Sequence, residues 1–259
     1  MSRILTTRDG PPLCWPRWLS QEGCTAPAED LLSRPLGWPA ETRLGDVATL
    51  REGSGPADRL VVDGDTRRWV GLGDGWAEGE LVVFGGVGAE AGRLMRGGVL
   101  TVEGDAEAGL GAGMRGGILV VKGRAGEGAG RPAGLDPMQG GLIVAESMGD
   151  RAGFGMHRGI IAARRLGREA GLAMRAGTLV AEEMASVGRG VRRGSLIARR
   201  VQEWPEFFVP SGIVASSYRA LLGQLLSPYG FSWLLRPAYP RRWVGDQEEL
   251  GKGELWLCP

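Results

Sequence analysis

A short aliphatic segment recurs along this chain eight times in succession, at offsets of 17 to 24 residues, and that regularity restricts the fold more than any other feature. The copies read DRLVVDG, GELVVFG, GVLTVEG, GILVVKG, GLIVAES, GIIAARR, GTLVAEE and GSLIARR. They start at Asp58, Gly79, Gly98, Gly117, Gly141, Gly159, Gly177 and Gly194. Within a copy the side chains alternate: Leu100 and Val102 share one side, Thr101 and Glu103 the other, and Leu119 and Val121 repeat the phase. A period of two is that of a pleated strand. Strands this short cannot bury an apolar face alone, so the copies must stack on one another. The expected fold is all-β: a right-handed parallel β-helix, a single-stranded solenoid of about 7–8 rungs over residues 58–200. At about 4.8 Å per rung the column is roughly 35 Å tall.

The links between strands repeat too, as AGRLMRGG, AGLGAGMRGG, AGFGMHRG, AGLAMRAG and VGRGVRRG. Met95, Met114, Met138, Met156 and Met174 fall in one phase, completed by Val191, and read as interior gap-fillers stacked rung on rung. The next positions are Arg96, Arg115, Gln139, His157, Arg175 and Arg192, a solvated row in which the chain's single histidine stands where other rungs carry arginine. Glycine reaches 46 residues, and Gly64, Gly85, Gly104 and Gly123, then Ser147, close the first strands where a corner with positive φ is expected. Arg165 and Glu183 replace that glycine later, which puts the corner there in question.

An open stack exposes strand edges at both ends, which must be covered. None of the nine tryptophans lies between Trp76 and Trp204, and seven lie in residues 1–57 and 201–259. Residues 1–57 therefore read as an N-terminal cap and partner-binding arm. Residues 201–259 read as a C-terminal cap with a helix near 213–226, where Ile213, Tyr218, Leu221 and Leu225 approach helical spacing.

Little chemistry is on offer. One histidine, His157, cannot supply a multi-histidine metal site, and three scattered cysteines (Cys14, Cys24, Cys258) form no CxxC pair. No catalytic and no metal-binding residue is nominated. No apolar run is long enough to span a bilayer and the N-terminus carries no secretory signal, so a cytoplasmic protein is expected. Glycine clusters such as Gly71–Gly73 return to strands rather than opening helices, which argues against a phosphate loop. Arginines without interleaved aromatics argue against nucleic acid.

The spaced pattern GGxLxVxG…AGxxMRGG resembles a repeat shared by the C-terminal domain of glutamate synthase and by the β-helical subunit of formylmethanofuran dehydrogenase and of its bacterial formyltransferase/hydrolase relative. The flanks TRLGDVATL, RLVVDGD, GLGDGWAEGELVVFG and RRWVGDQEELGKGELWL resemble that β-helical subunit rather than glutamate synthase. The resemblance implies a non-catalytic scaffold in one-carbon metabolism. Its partners would be a formyltransferase subunit, an amidohydrolase-like subunit and a further subunit of the same complex. It also implies a methanofuran-type one-carbon carrier in the complex, a metal in a partner subunit, and no cofactor held by this chain alone. The alternatives are the equivalent subunit of an archaeal-type molybdenum or tungsten formylmethanofuran dehydrogenase, a self-contained solenoid acyltransferase or lyase, and a glutamate synthase spacer.

Charge is uneven along the repeat. Residues 58–150 hold 9 Lys/Arg and 14 Asp/Glu, whereas residues 151–200 hold 11 Arg and 3 Glu. Stacking would gather Arg164, Arg165, Arg168, Arg175, Arg192 and Arg193 into a basic stripe, for an acidic partner or for the anionic tail of the carrier. The longest insertion, RPAGLDP (Arg131–Pro137), reads as a surface loop, with a binding loop as the alternative.

Overall fold

The computed structural model describes residues 2–258 except 9, 11, 38–41, 214–216, 237–238 and 247–250. The N-terminal arm supplies β1 (Ser2–Thr7), β2 (Leu13–Cys14), the short helices α1 (Arg17–Glu22), α2 (Ala28–Ser33) and α3 (Leu44–Val47), and β3 (Ala48–Gly53). Then come β4 (Arg59–Asp63), the two-residue β5 (Trp69–Val70), β6 (Glu80–Phe84), β7 (Val99–Val102), β8 (Ile118–Ala125) and β9 (Gln139–Met148). The series continues with β10 (Arg158–Leu166), β11 (Thr178–Ser186) and β12 (Gly194–Glu203). The C-terminal arm holds β13 (Val209–Ile213), α4 (Ser217–Leu226), two 3-10 turns, β14 (Arg241–Gly245) and β15 (Gly253–Leu257).

These strands form a parallel β-solenoid whose rungs, β4 and β6 to β12, pair in register one above the next. The register is set by the core. Leu60, Leu81, Leu100, Leu119, Ile143, Ile161, Leu179 and Leu196 stack in a single inward row, each 0% exposed. A slip of one residue would turn the whole row to solvent. A second inward row shrinks from Val62, Val83, Val102 and Val121 to Ala145, Ala163, Ala181 and Ala198. The next inward position grows over the same span, from Ala125 to Met148, Leu166 and Met184, which keeps the interior filled.

The sheet runs beyond residues 58–200 at both ends. β1 lies parallel beside β4 and β15 parallel beside β12, so each arm adds a strand to the column. The direction then reverses: β3 closes one end antiparallel to β1, and β14 and β13 close the other. Of the helical stretch expected at 213–226, Ile213 ends β13, residues 214–216 lie outside the described residues, and α4 runs from Ser217 to Leu226.

The corner glycines divide into two groups. Gly64 and Gly85 have φ of 116° and 129°, as expected of sharp corners. Gly104 and Gly123 do not adopt positive φ. They are needed because a Cβ would meet the rung below, at 2.6 Å from the Gly85 backbone in one case and 2.8 Å from Gly104 O in the other. Where Arg165 and Glu183 stand there is no corner at all. The later strands are longer and continue straight through, pairing Ser147, Arg165, Glu183 and Arg200 across four rungs.

The five methionines are each 0% exposed, and four of them interlock with the glycines that open the following strands. A Cβ on Gly141, Gly159, Gly177 or Gly194 would lie 2.5–2.8 Å from the terminal methyl of Met114, Met138, Met156 or Met174. Trp76 heads this ladder, its indole occupying the same place against Gly98.

Non-glycine residues also sit at left-handed turn positions: Glu90, Leu94, Arg151, Glu169 and Ala173 have φ between 51° and 60°. Ala173 is exposed. Ala173→Gly removes a cost of about 1–2 kcal/mol and restores some unfolded-state entropy, for an expected net gain of about 0.5–1 kcal/mol. The urea midpoint should rise, and a fall would show that this backbone is not strained.

Candidate functional site

Two edges of the column carry the nominated arginines, and they are different edges. Arg164 and Arg165 lie near the end of β10 and Arg168 just beyond it, whereas Arg175 precedes β11 and Arg192 and Arg193 precede β12. From Arg158, at the start of β10, to Arg164 is about 20 Å of extended chain. The single basic stripe expected from the sequence is therefore not formed.

At the strand ends the arginines alternate with acids. In-register pairing stacks Glu146, Arg164, Glu182 and Arg199 in one row, and Ser147, Arg165, Glu183 and Arg200 in the row beside it. Arg164 Nε lies 3.3 Å from Glu146 Oε2 and Arg200 Nε 3.6 Å from Glu183 Oε1. Arg168 approaches Glu203 at 3.9 Å, and its backbone N–H donates to Asp150 Oδ1 at 2.8 Å. These exposed pairs each contribute about 0–1 kcal/mol. The glutamates and arginines of the two rows line an open cleft of about 510 Å³ with Cys258 in its wall, and Arg168 and Glu203 lie outside its lining. Counting charge over the segment hid this alternation. Aligning AES, ARR, AEE and ARR column by column would have exposed it.

The opposite edge carries a row of arginines, one per rung at most levels, rather than an alternation of arginines and acids. The residue after each ladder position donates its backbone N–H to the carbonyl of the ladder residue one rung earlier. Arg96 donates to Trp76, Arg115 to Met95, Gln139 to Met114, His157 to Met138, Arg175 to Met156 and Arg192 to Met174, at 2.7–2.9 Å. All are exposed except His157, which is partly covered, and Arg158 and Arg193 are exposed beside them. Arg115 also pairs with Asp136 of the insertion at 2.9 Å.

The C-terminal arm does something the sequence pattern did not disclose. It folds back over the outer face of β9 to β12, where Leu142, Val144, Ala162, Val180 and Ile197 form a second core with Leu222, Leu226, Phe231, Leu234 and Trp256. The signal was in the later copies, whose apolar runs LIVA, IIAA, LVA and LIA abandon alternation, as strands buried on both faces do. Burial in this second core pushes the Cys258 thiol up to about 11, holding it protonated at neutral pH. Native alkylation at pH 8 should therefore label the exposed Cys14 and leave Cys258 unmodified until denaturant is added. Equal labelling would show that the arm opens readily.

At the other end, Arg17 of α1 reaches Asp74 at 2.9 Å and fastens the N-terminal arm to the turn of the first rung. Among the described residues no group of three or more His, Cys, Asp or Glu is placed to hold a metal ion, and no helix is long and apolar enough to cross a membrane.

No family model matches the chain, and neither does any curated protein. Among the solved structures that match is a chain that superimposes with a TM-score of 0.85 at 30% sequence identity, covering 98% of this chain and 98% of the other. It belongs to the crystal structure of the formyltransferase/hydrolase complex from Methylorubrum extorquens in complex with methylofuran.

Proposed function

Because this chain belongs to the family of the formyltransferase/hydrolase complex chain that it matches, we propose that it is a component of such a complex in methylofuran-dependent one-carbon metabolism. Within the complex it is the β-helical scaffold, with no turnover of its own. The observation that carries this reading is the 98% coverage in both directions: column and both arms together align with nearly the whole of the counterpart.

Among the described residues a 13-stranded sheet is hydrogen-bonded from β13 to β3, which makes a stiff beam. Strands and arms fixed on one beam hold other subunits at constant separation, and a tethered carrier then meets successive active sites at an effective concentration set by its reach. The partners are a formyltransferase subunit, an amidohydrolase-like subunit bearing the metal, and a further subunit. The arginines meet anionic groups of the complex. Arg164, Arg165 and Arg168 do so weakly, being matched by Glu146, Glu182, Glu183 and Glu203. Arg175 and Arg193, with Arg192 beside them, lie on the edge where arginines recur rung after rung, and Arg175 and Arg193 offer the stronger field.

Affinity purification of the tagged chain followed by native mass determination tests the proposal. Co-purification of formyl-transferring and formyl-hydrolysing subunits is expected, with no turnover by the chain alone. Formyl transfer or hydrolysis by the isolated polypeptide would overturn the scaffold role.

A further inference from the structure

The insertion between β8 and β9 sits on the basic edge, and its tip is apolar. Ala133 and Asp136 face each other across a tight turn closed by two backbone bonds, Ala133 N–H to Asp136 O at 2.8 Å and the reverse at 3.1 Å. Gly134 supplies the left-handed residue with φ of 64°. The turn is seated on the column rather than hanging from it. A Cβ on Gly113 would lie 2.8 Å from Ala133 Cβ, and one on Gly155 would lie 3.3 Å from Pro132, so both glycines make room for the loop. The Arg115–Asp136 pair at 2.9 Å ties its far side to the basic row.

Leu135, at the tip of this braced turn, is 101% exposed. A leucine held fully in water gains nothing in the isolated chain. Burying its side chain in a partner would remove that unfavourable exposure. Because the turn is already ordered, little conformational entropy opposes that step. Around it the exposed Arg96, Arg158, Arg175 and Arg193 present positive charge along an edge of six rungs, about 24 Å of the column.

We propose that this edge is a protein-docking surface, in which Leu135 enters an apolar socket on a partner subunit and the arginine row meets an acidic rim around that socket. The division of labour follows from the physics. The apolar anchor sets the dissociation rate, and the charged rim sets the association rate and its dependence on salt. The proposal rests on the reading of the chain as one member of a multi-subunit complex, and it names the surface and the chemistry of the partner.

The test uses the complex assembled from the full chain and its co-expressed partner subunits. Leu135→Asp is expected to weaken assembly about tenfold or more, and Leu135→Met to retain it. The triple change Arg158→Glu, Arg175→Glu, Arg193→Glu is expected to slow association and flatten its salt dependence, with the uncharged Leu135→Ser leaving that slope unchanged. Circular dichroism of each variant confirms an intact column, which a fully exposed side chain should not disturb. Wild-type assembly by all variants would overturn the proposal. So would normal assembly with weakened binding of methylofuran, which would reassign the arginines to the carrier's anionic tail. Failure of the wild-type chain to bind any partner would instead sink the reading as a member of the complex, and this surface with it.

Discussion

Gly177→Val should destabilise the folded column by several kcal/mol, about 2–6 kcal/mol in all. Gly177 opens β11 with φ of 110°, a region essentially closed to residues with a Cβ. A Cβ there would stand 2.5 Å from Met156 Cε and 3.1 Å from Gly159 O, in an interior where Met156 is 0% exposed. Backbone strain of about 1–3 kcal/mol and overpacking of about 1–3 kcal/mol add to a branched side chain that must displace its neighbours. The sum is a large fraction of a domain's net stability of about 5–15 kcal/mol.

The milder Gly177→Ala keeps the interlock measurable. Met156→Ala alone should cost about 2–5 kcal/mol through the cavity it leaves. The double variant should be less destabilised than the sum of the singles by about 1 kcal/mol or more, because removing the thioether frees the space that the new methyl needs. Urea unfolding of the four proteins reads this directly. Strict additivity would mean that the methionine ladder and the strand-opening glycines do not share a volume.

Trp256→Ala should loosen the C-terminal arm by about 3–5 kcal/mol. Trp256 lies in β15, aligned with Ile197 of the last rung, and is 4% exposed. Its ring meets Tyr218 of α4 edge-on at 6.3 Å, and its Nε1 donates to Glu254 Oε2 at 2.9 Å. It therefore joins the arm's added strand to the arm's helix. Solenoid units depend chiefly on their neighbours, so the loss should be local. Hydrogen exchange should accelerate across Ser217–Leu226 and β15 while β6 to β8 keep their protection. Uniform acceleration along the whole column would show a single cooperative unit instead.

The column itself was legible in the sequence because its cause is local and repeated. Alternation within each strand chooses the inward face, and recurrence of Leu60, Leu81, Leu100 and Leu119 at near-constant spacing leaves stacking as the way to bury them. The methionine ladder was legible for the same reason, since a residue type repeated in one phase must repeat in one place. Glycine was only half legible. A sequence marks where a Cβ is missing but not whether φ or a neighbouring rung forbids it, and Gly104 differs from Gly85 on that point alone.

The charged surface depended on pairing between rungs. Eleven arginines against three glutamates in residues 151–200 is a property of composition. Whether they make a basic stripe depends on which strand lies beside which, and at what register. In-register stacking interleaves Arg164 with Glu146 and Glu182, and carries Arg175 and Arg192 to the other edge of the same strands. The folding-back of α4, the turns after it and β15 onto β9 to β12 was likewise a tertiary decision. It pairs segments far apart in the chain, and a local period carries no information about which distant apolar surface will cover an exposed one. Sequence by itself determined the column, since each rung needs only its neighbours. Tertiary structure decided what lies on that column's outside, because surfaces are made by side chains from different rungs and by an arm whose partner no local pattern names.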